Sequence, residues 1–170
     1  KEKIPESTDP QPDSLSLKTD RLPPPQIDPA FHVCFDDLGM YKFDAVSQFL
    51  VAHGQELLSL DLRRLTISEP QFLQLISFCP KLIQLYAEPM HISDNTIAQL
   101  KGRPLTSLHI EGGWELTDKA LEHLKGMPLK SVAFVGCRGL TDNALESLKG
   151  MPLTSVNFAK CPQLRDDAFV

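Results

Sequence analysis

Few side chains along this sequence could do chemistry: five histidines, four cysteines and an aspartate that keeps returning at one interval. His32, His53, His91, His109 and His123 fall at unrelated places, and no nucleophile, base and orienting acid recur together. A GxSxG elbow, an HExxH helix, a phosphate-cradling GxxxxGK[ST] and a GxGxxG after a strand are all missing. The chain is therefore expected to be no enzyme. Cys34, Cys79, Cys137 and Cys161 lack the paired CxxC spacing of a zinc site. They read as reduced structural thiols, since free cysteine packs as a small hydrophobe, and they favour a reducing compartment. Asp94, Asp118, Asp142 and Asp166 form a carboxylate column of the kind that binds calcium in glycine-rich β-rolls. Here the glycine-rich nonapeptide is absent and each Asp stands where a helix begins. Capping and complementarity to the helix dipole explain the column without a metal. No metal and no cofactor are expected.

That column leads to the elements beneath it. Ile92-Ser93-Asp94, Leu116-Thr117-Asp118, Leu140-Thr141-Asp142 and Leu164-Arg165-Asp166 recur every 24 residues. Lys101-Gly102-Arg103-Pro104-Leu105 returns as Lys125-Gly126-Met127-Pro128-Leu129 and again as Lys149-Gly150-Met151-Pro152-Leu153. Between them runs an LxxLxL core: Leu105/Leu108/Ile110, Leu129/Val132/Phe134 and Leu153/Val156/Phe158, with Leu82/Leu85/Ala87 and Leu57/Leu60/Leu62 upstream. A period of about 20–29 residues built on LxxLxL is the mark of leucine-rich repeats. Within each unit, alternating inward residues predict a short strand. Thr117 or Asp118 then opens a short helix whose buried stripe is Ala120, Leu121 and Leu124, and Gly126-Met127-Pro128 ends it. One coil cannot bury its own apolar face, so neighbours must stack.

The predicted fold is thus α/β: a right-handed leucine-rich-repeat solenoid with a parallel sheet on the concave face and short helices on the convex face. Residues 57–170 supply about five coils, the last incomplete. Residues 31–56 read as an N-terminal cap or degenerate repeat, with Phe43, Val46, Phe49 and Leu50 on one helical face. Residues 1–30 hold seven of the 14 prolines and read as a flexible tail or linker. The chain stops inside a further helix, so more repeats or a covering partner are expected at that edge.

The pattern LTDxALxxLxxxPLxxLxLxxC, carried by Leu116-Thr117-Asp118-Lys119-Ala120-Leu121 through Cys137 and by Leu140-Thr141-Asp142-Asn143-Ala144-Leu145 through Cys161, resembles the cysteine-containing and GALA-type leucine-rich repeats. Phe78-Cys79-Pro80-Lys81-Leu82 is similar to the CPxL junction of repeats in F-box proteins. The resemblance implies recruitment of proteins, often substrates of a ubiquitin ligase. Bacterial members are effectors delivered into a host cytoplasm. Residues 31–56 show no F-box, the helical segment on which the ligase role depends.

A net charge of −5 argues against a nucleic-acid surface. No apolar run approaches the roughly 20 residues of a spanning helix. The expected partner is another protein, with no nucleic acid, membrane span or small-molecule substrate. Interface hot spots favour Tyr, Trp and Arg. The register places Ser59/Asp61, Gln84/Tyr86, Ser107/His109, Ser131/Ala133 and Ser155/Asn157 on the open strand face, followed by Arg63, Arg64, Glu88, Glu111, Val135 and Lys160. Asp61, Arg63, Arg64, Tyr86, Glu88, His109, Glu111 and Trp114 are the candidate contact residues. The function read from this is a non-enzymatic interaction module that binds a partner through the concave face, with a bacterial effector as its suggested setting and a ligase substrate-recruiting part or a structural subunit of a larger assembly as alternatives.

Overall fold

The computed structural model describes residues 43–63, 65–88 and 91–165, together with the backbone of two short strands at 26–28 and 32–34. The tail expected at 1–30 lies outside the described residues, apart from the first of those strands. In chain order the elements are β1 (Gln26–Asp28), β2 (His32–Cys34), α1 (Phe43–His53), β3 (Ser59–Leu62), α2 (Glu69–Ser77) and β4 (Gln84–Ala87). Then come α3 (Asp94–Ala98), β5 (Ser107–Glu111), α4 (Asp118–His123), β6 (Ser131–Val135), α5 (Asp142–Glu146) and β7 (Ser155–Asn157). The strands form one sheet in sequence order. β1 and β2 pair antiparallel, and every later neighbour pairs in parallel. Strand, crossover helix and adjacent parallel strand repeat without a break. This is the leucine-rich-repeat solenoid.

The register turns the repeat into columns. Leu60, Leu85, Leu108, Val132 and Val156 pair successively across the sheet. The first four are at most 1% exposed, whereas Val156 on the edge strand β7 is 45% exposed. Leu62, Ala87, Ile110 and Phe134 make the next inward column, and Phe134 stacks on Phe158 with ring centroids 6.3 Å apart. The helices close the core from behind through Phe72, Leu75, Ile97, Ala120, Leu121 and Ala144. Cys79, Cys137 and Cys161 are free thiols buried among them. Burial pushes the Cys79 thiol up to about 11 and that of Cys137 to about 12, so both are protonated at neutral pH.

Helix boundaries follow local chemistry. Thr117 and Thr141 are the N-caps of α4 and α5, their hydroxyls accepting from the Lys119 and Asn143 N–H groups. Gly126 sits at φ +81°, a left-handed conformation in which a side chain is strained even though open space surrounds it. Gly139 is required for another reason: a Cβ there would lie 2.5 Å from the Leu116 carbonyl oxygen, where the coils bridge through Thr117 and Gly139.

The described aspartates of the column stand in the first turn of their helices, as their position implied, and have a second role. Asp94, Asp118 and Asp142 are each the first helical residue, and the carboxylate of each reaches across to the next coil; Asp166 lies outside the described residues. Asp94 accepts from the Thr117 N–H at 2.8 Å and hydroxyl at 2.6 Å. Asp118 accepts from the Thr141 N–H and hydroxyl, both at 2.7 Å. Asp142 accepts from the Arg165 N–H at 2.9 Å and its Nε at 2.7 Å. Glu69 opens the series, taking the Ser93 N–H and hydroxyl and the Thr96 hydroxyl. These charged hydrogen bonds staple coil to coil along the convex side.

Candidate functional site

On the strand face, β3 differs from the strands that follow. Ser59 and Asp61, expected to face solvent, are each only 5% exposed. Both lie in a central strand flanked by β2 and β4, and the Asp61 charge is compensated locally. Arg63 Nη2 donates to Asp61 Oδ2 at 2.6 Å, Arg63 Nε to both oxygens at 3.1 Å, and the Arg63 N–H to Oδ1 at 2.9 Å. A planar guanidinium matched to a carboxylate in this way has little freedom. Its other neighbour is aromatic: Arg63 Cζ lies 5.3 Å from the Tyr86 ring centroid. Tyr86 in turn meets His109 of the next strand, with centroids 5.9 Å apart and planes tilted by 40°.

Asp61, Arg63, Tyr86 and His109 therefore form one continuous array across three coils. His109 ends it. Burial, and then the Arg63 cation, hold its imidazole below the usual pKa, while Glu111 and Asp61 pull the other way. The ring is neutral at pH 7. Its Nε2 is enclosed and has no hydrogen-bond partner among the described residues. Beyond it the surface drops to Ala133 and Val135, each 8% exposed, which the register had placed among the open positions.

The other candidates sit around this array. Glu111 follows His109 on the same strand face and is half-buried; Glu88 is exposed just past β4. Arg64 lies outside the described residues. Trp114 is set apart on the rim loop after β5, 56% exposed, with the Arg138 guanidinium 5.5 Å from its ring centroid. Sequence reasoning passed over Arg138 as a partner for Trp114, although the two share one column of the repeat. A cavity of about 500 Å³ lined by Arg138, Phe158, Lys160 and Cys161 lies at the β7 end of the solenoid. The array can hydrogen-bond, stack and pair charge. Among the described residues no three metal-ligating side chains converge, and no helix is long and apolar enough to cross a membrane.

No protein-family model matches the chain, and no curated protein matches it by sequence. Among solved structures, a chain from the crystal structure of the Rad7 and Elc1 complex in yeast superposes with a TM-score of 0.52 at 19% identity. The likeness is one of fold. It covers 75% of this chain and 43% of that one, so the present chain spans less than half the length of its structural neighbour.

Proposed function

We propose that this chain is a non-catalytic protein-interaction module that holds a partner protein on its concave strand face. The observation that carries this reading is the array of Asp61, Arg63, Tyr86 and His109. It joins a fixed guanidinium to two half-buried aromatic rings on the strand face, the composition that concentrates binding energy at interfaces. Asp61 holds the Arg63 guanidinium through both its oxygens, so little of that side chain's freedom is lost on association. The solenoid supplies the curved platform and the staples keep its coils in register.

The experiment is affinity capture with the whole chain, followed by the same capture with Tyr86→Ala combined with His109→Ala. Loss of the captured partner, with unfolding midpoint unchanged, supports the concave face. Equal capture by the variant moves the site elsewhere. A second reading, recruitment of substrates to a ubiquitin ligase, draws on the F-box-type CPxL junction at residues 79–82 and on the likeness to a chain crystallised in the Rad7–Elc1 complex. Under that reading the full-length protein also co-purifies with a ligase scaffold. Its absence from stoichiometric complexes leaves the interaction module alone.

A further inference from the structure

A second patterned surface lies along the edge of the solenoid where helices hand over to strands. There the chain turns through residues 101–104, 125–128 and 149–152, and Gly102, Gly126 and Gly150 hold φ of +84°, +81° and +79°. The three turns therefore repeat one shape in neighbouring coils. A groove of about 400 Å³ separates the first two, and one of about 480 Å³ separates the second from the third. Sharing the middle turn, they run on as one trough. Met127 is buried beneath it, and Pro104, Pro128 and Pro152 stand exposed along it. Lys101, Arg103, Lys125 and Lys149 line the trough and no acid does, in a chain whose net charge is −5. Glu146 meets Lys149 at 2.6 Å. The other three cations have no carboxylate partner among the described residues. Glu122 stands one repeat before Glu146 yet forms no ion pair with Lys125, and Ile97 and Ala98 occupy the helical turn behind Lys101. Arg103 is half-buried, and its Nη1 donates to the Ile76 and Cys79 carbonyls at 3.0 and 3.1 Å. Its Nε and Nη2 have no acceptor among the described residues. Complementarity to helix C-termini explains a lysine after each helix. It does not explain a half-buried guanidinium without an acid, because charges taken out of water are ordinarily paired.

We propose that this trough receives an extended acidic segment of a partner protein, with one carboxylate set among Lys101, Arg103 and Lys125 and the segment running on over turn 149–152. Arg103 is the fixed element: the two carbonyls hold one of its nitrogens and leave the others for the carboxylate. Lys101 and Lys125 close from either side as mobile point charges. Met127 and the prolines meet the apolar stems of the segment, and methionine adapts its shape to them. A peptide is favoured over a phosphate backbone because the cations are few, proline and methionine stand between them, and the net charge of the chain repels a polyanion. This surface is separate from the strand face, so the inference stands or falls independently of the concave reading.

Fluorescence anisotropy with the whole chain tests it. The probes are a labelled peptide alternating Glu with Ala, the same peptide with Gln in place of Glu, and an oligothymidylate of equal length. The acidic peptide should bind saturably and more weakly as salt rises, and the Gln peptide should not bind. Lys101→Gln combined with Lys125→Gln should lower the affinity about fivefold, the size of two exposed charge contacts. Lys119→Gln combined with Lys160→Gln removes the same charge elsewhere and should leave the affinity unchanged. All four lysines are exposed, so both variants should keep the urea midpoint of the wild type. The inference is overturned by an acidic peptide that does not saturate, by equal affinities for wild type and the Lys101/Lys125 variant, or by equal losses in the two variants. Tighter binding of the oligothymidylate than of the acidic peptide also overturns it and makes the edge a nucleic-acid surface.

Discussion

Asp118→Ala is the most informative perturbation of the scaffold. The Asp118 carboxylate accepts two hydrogen bonds of 2.7 Å from Thr141, which belongs to the following coil. A hydrogen bond to a charged group contributes about 1.5–3 kcal/mol when buried. Asp118 is half-buried, and water can reach Thr141 once the carboxylate is gone, so each bond counts at the lower end or below. An acid in the first turn of a helix adds about 0.3–1 kcal/mol through the dipole. The sum is about 2–3 kcal/mol. With a urea dependence of about 2 kcal/mol per molar for a domain of this size, the midpoint should fall by roughly 1 M in circular-dichroism unfolding. Glu122→Ala is the control, because Glu122 is exposed on the same helix with no partner among the described residues. It should change the stability by less than about 0.5 kcal/mol. Equal effects from the two substitutions would refute the inter-coil staple. In a solenoid, stability is the sum of units and their nearest-neighbour interfaces. The loss should therefore be matched by Asp94→Ala, which removes the same pair of bonds one coil earlier.

Two further outcomes follow from the core. Burial raises the folded-state pKa of Cys79 to about 11 and that of Cys137 to about 12, whereas unfolded thiols ionise near 8.5. The stability this provides is fully present below the unfolded value and is lost as pH rises toward the folded one. Each thiol should withdraw about 1.4 kcal/mol per pH unit in that window; urea midpoints flat from pH 8 to 11 would contradict the burial. Phe134→Ala empties the fully buried ring that stacks on Phe158, and should cost about 3–5 kcal/mol by denaturant titration. A cost below about 1 kcal/mol would mean that the column is not packed as described.

What the sequence made legible was whatever depends on spacing. Leu108, Val132 and Phe134 could be placed inward from their period alone, because a parallel ladder in register converts a 24-residue repeat into a spatial column. Thr117 and Thr141 were readable as helix starts for the same reason. The second role of the aspartates was not, since a residue at a helix start looks like a cap until the next coil is in place. Asp61 was read as an open strand position, because strand alternation gives the direction of a side chain and says nothing of what encloses it. The stack of Arg63, Tyr86 and His109 spans three coils, and side-chain reach across them is set by tertiary packing. Trp114 and Arg138 lay one period apart, so that contact could have been found by asking which residues share a column.

The claim at the centre is that a partner protein contacts the Tyr86–His109 region of the strand face, and hydroxyl-radical footprinting of the captured complex tests it most directly. Oxidation of Tyr86 and His109 should fall on complex formation while His123, at the end of α4 on the convex side, stays as reactive as in the free chain. Protection of His123 with Tyr86 and His109 unchanged would contradict the account.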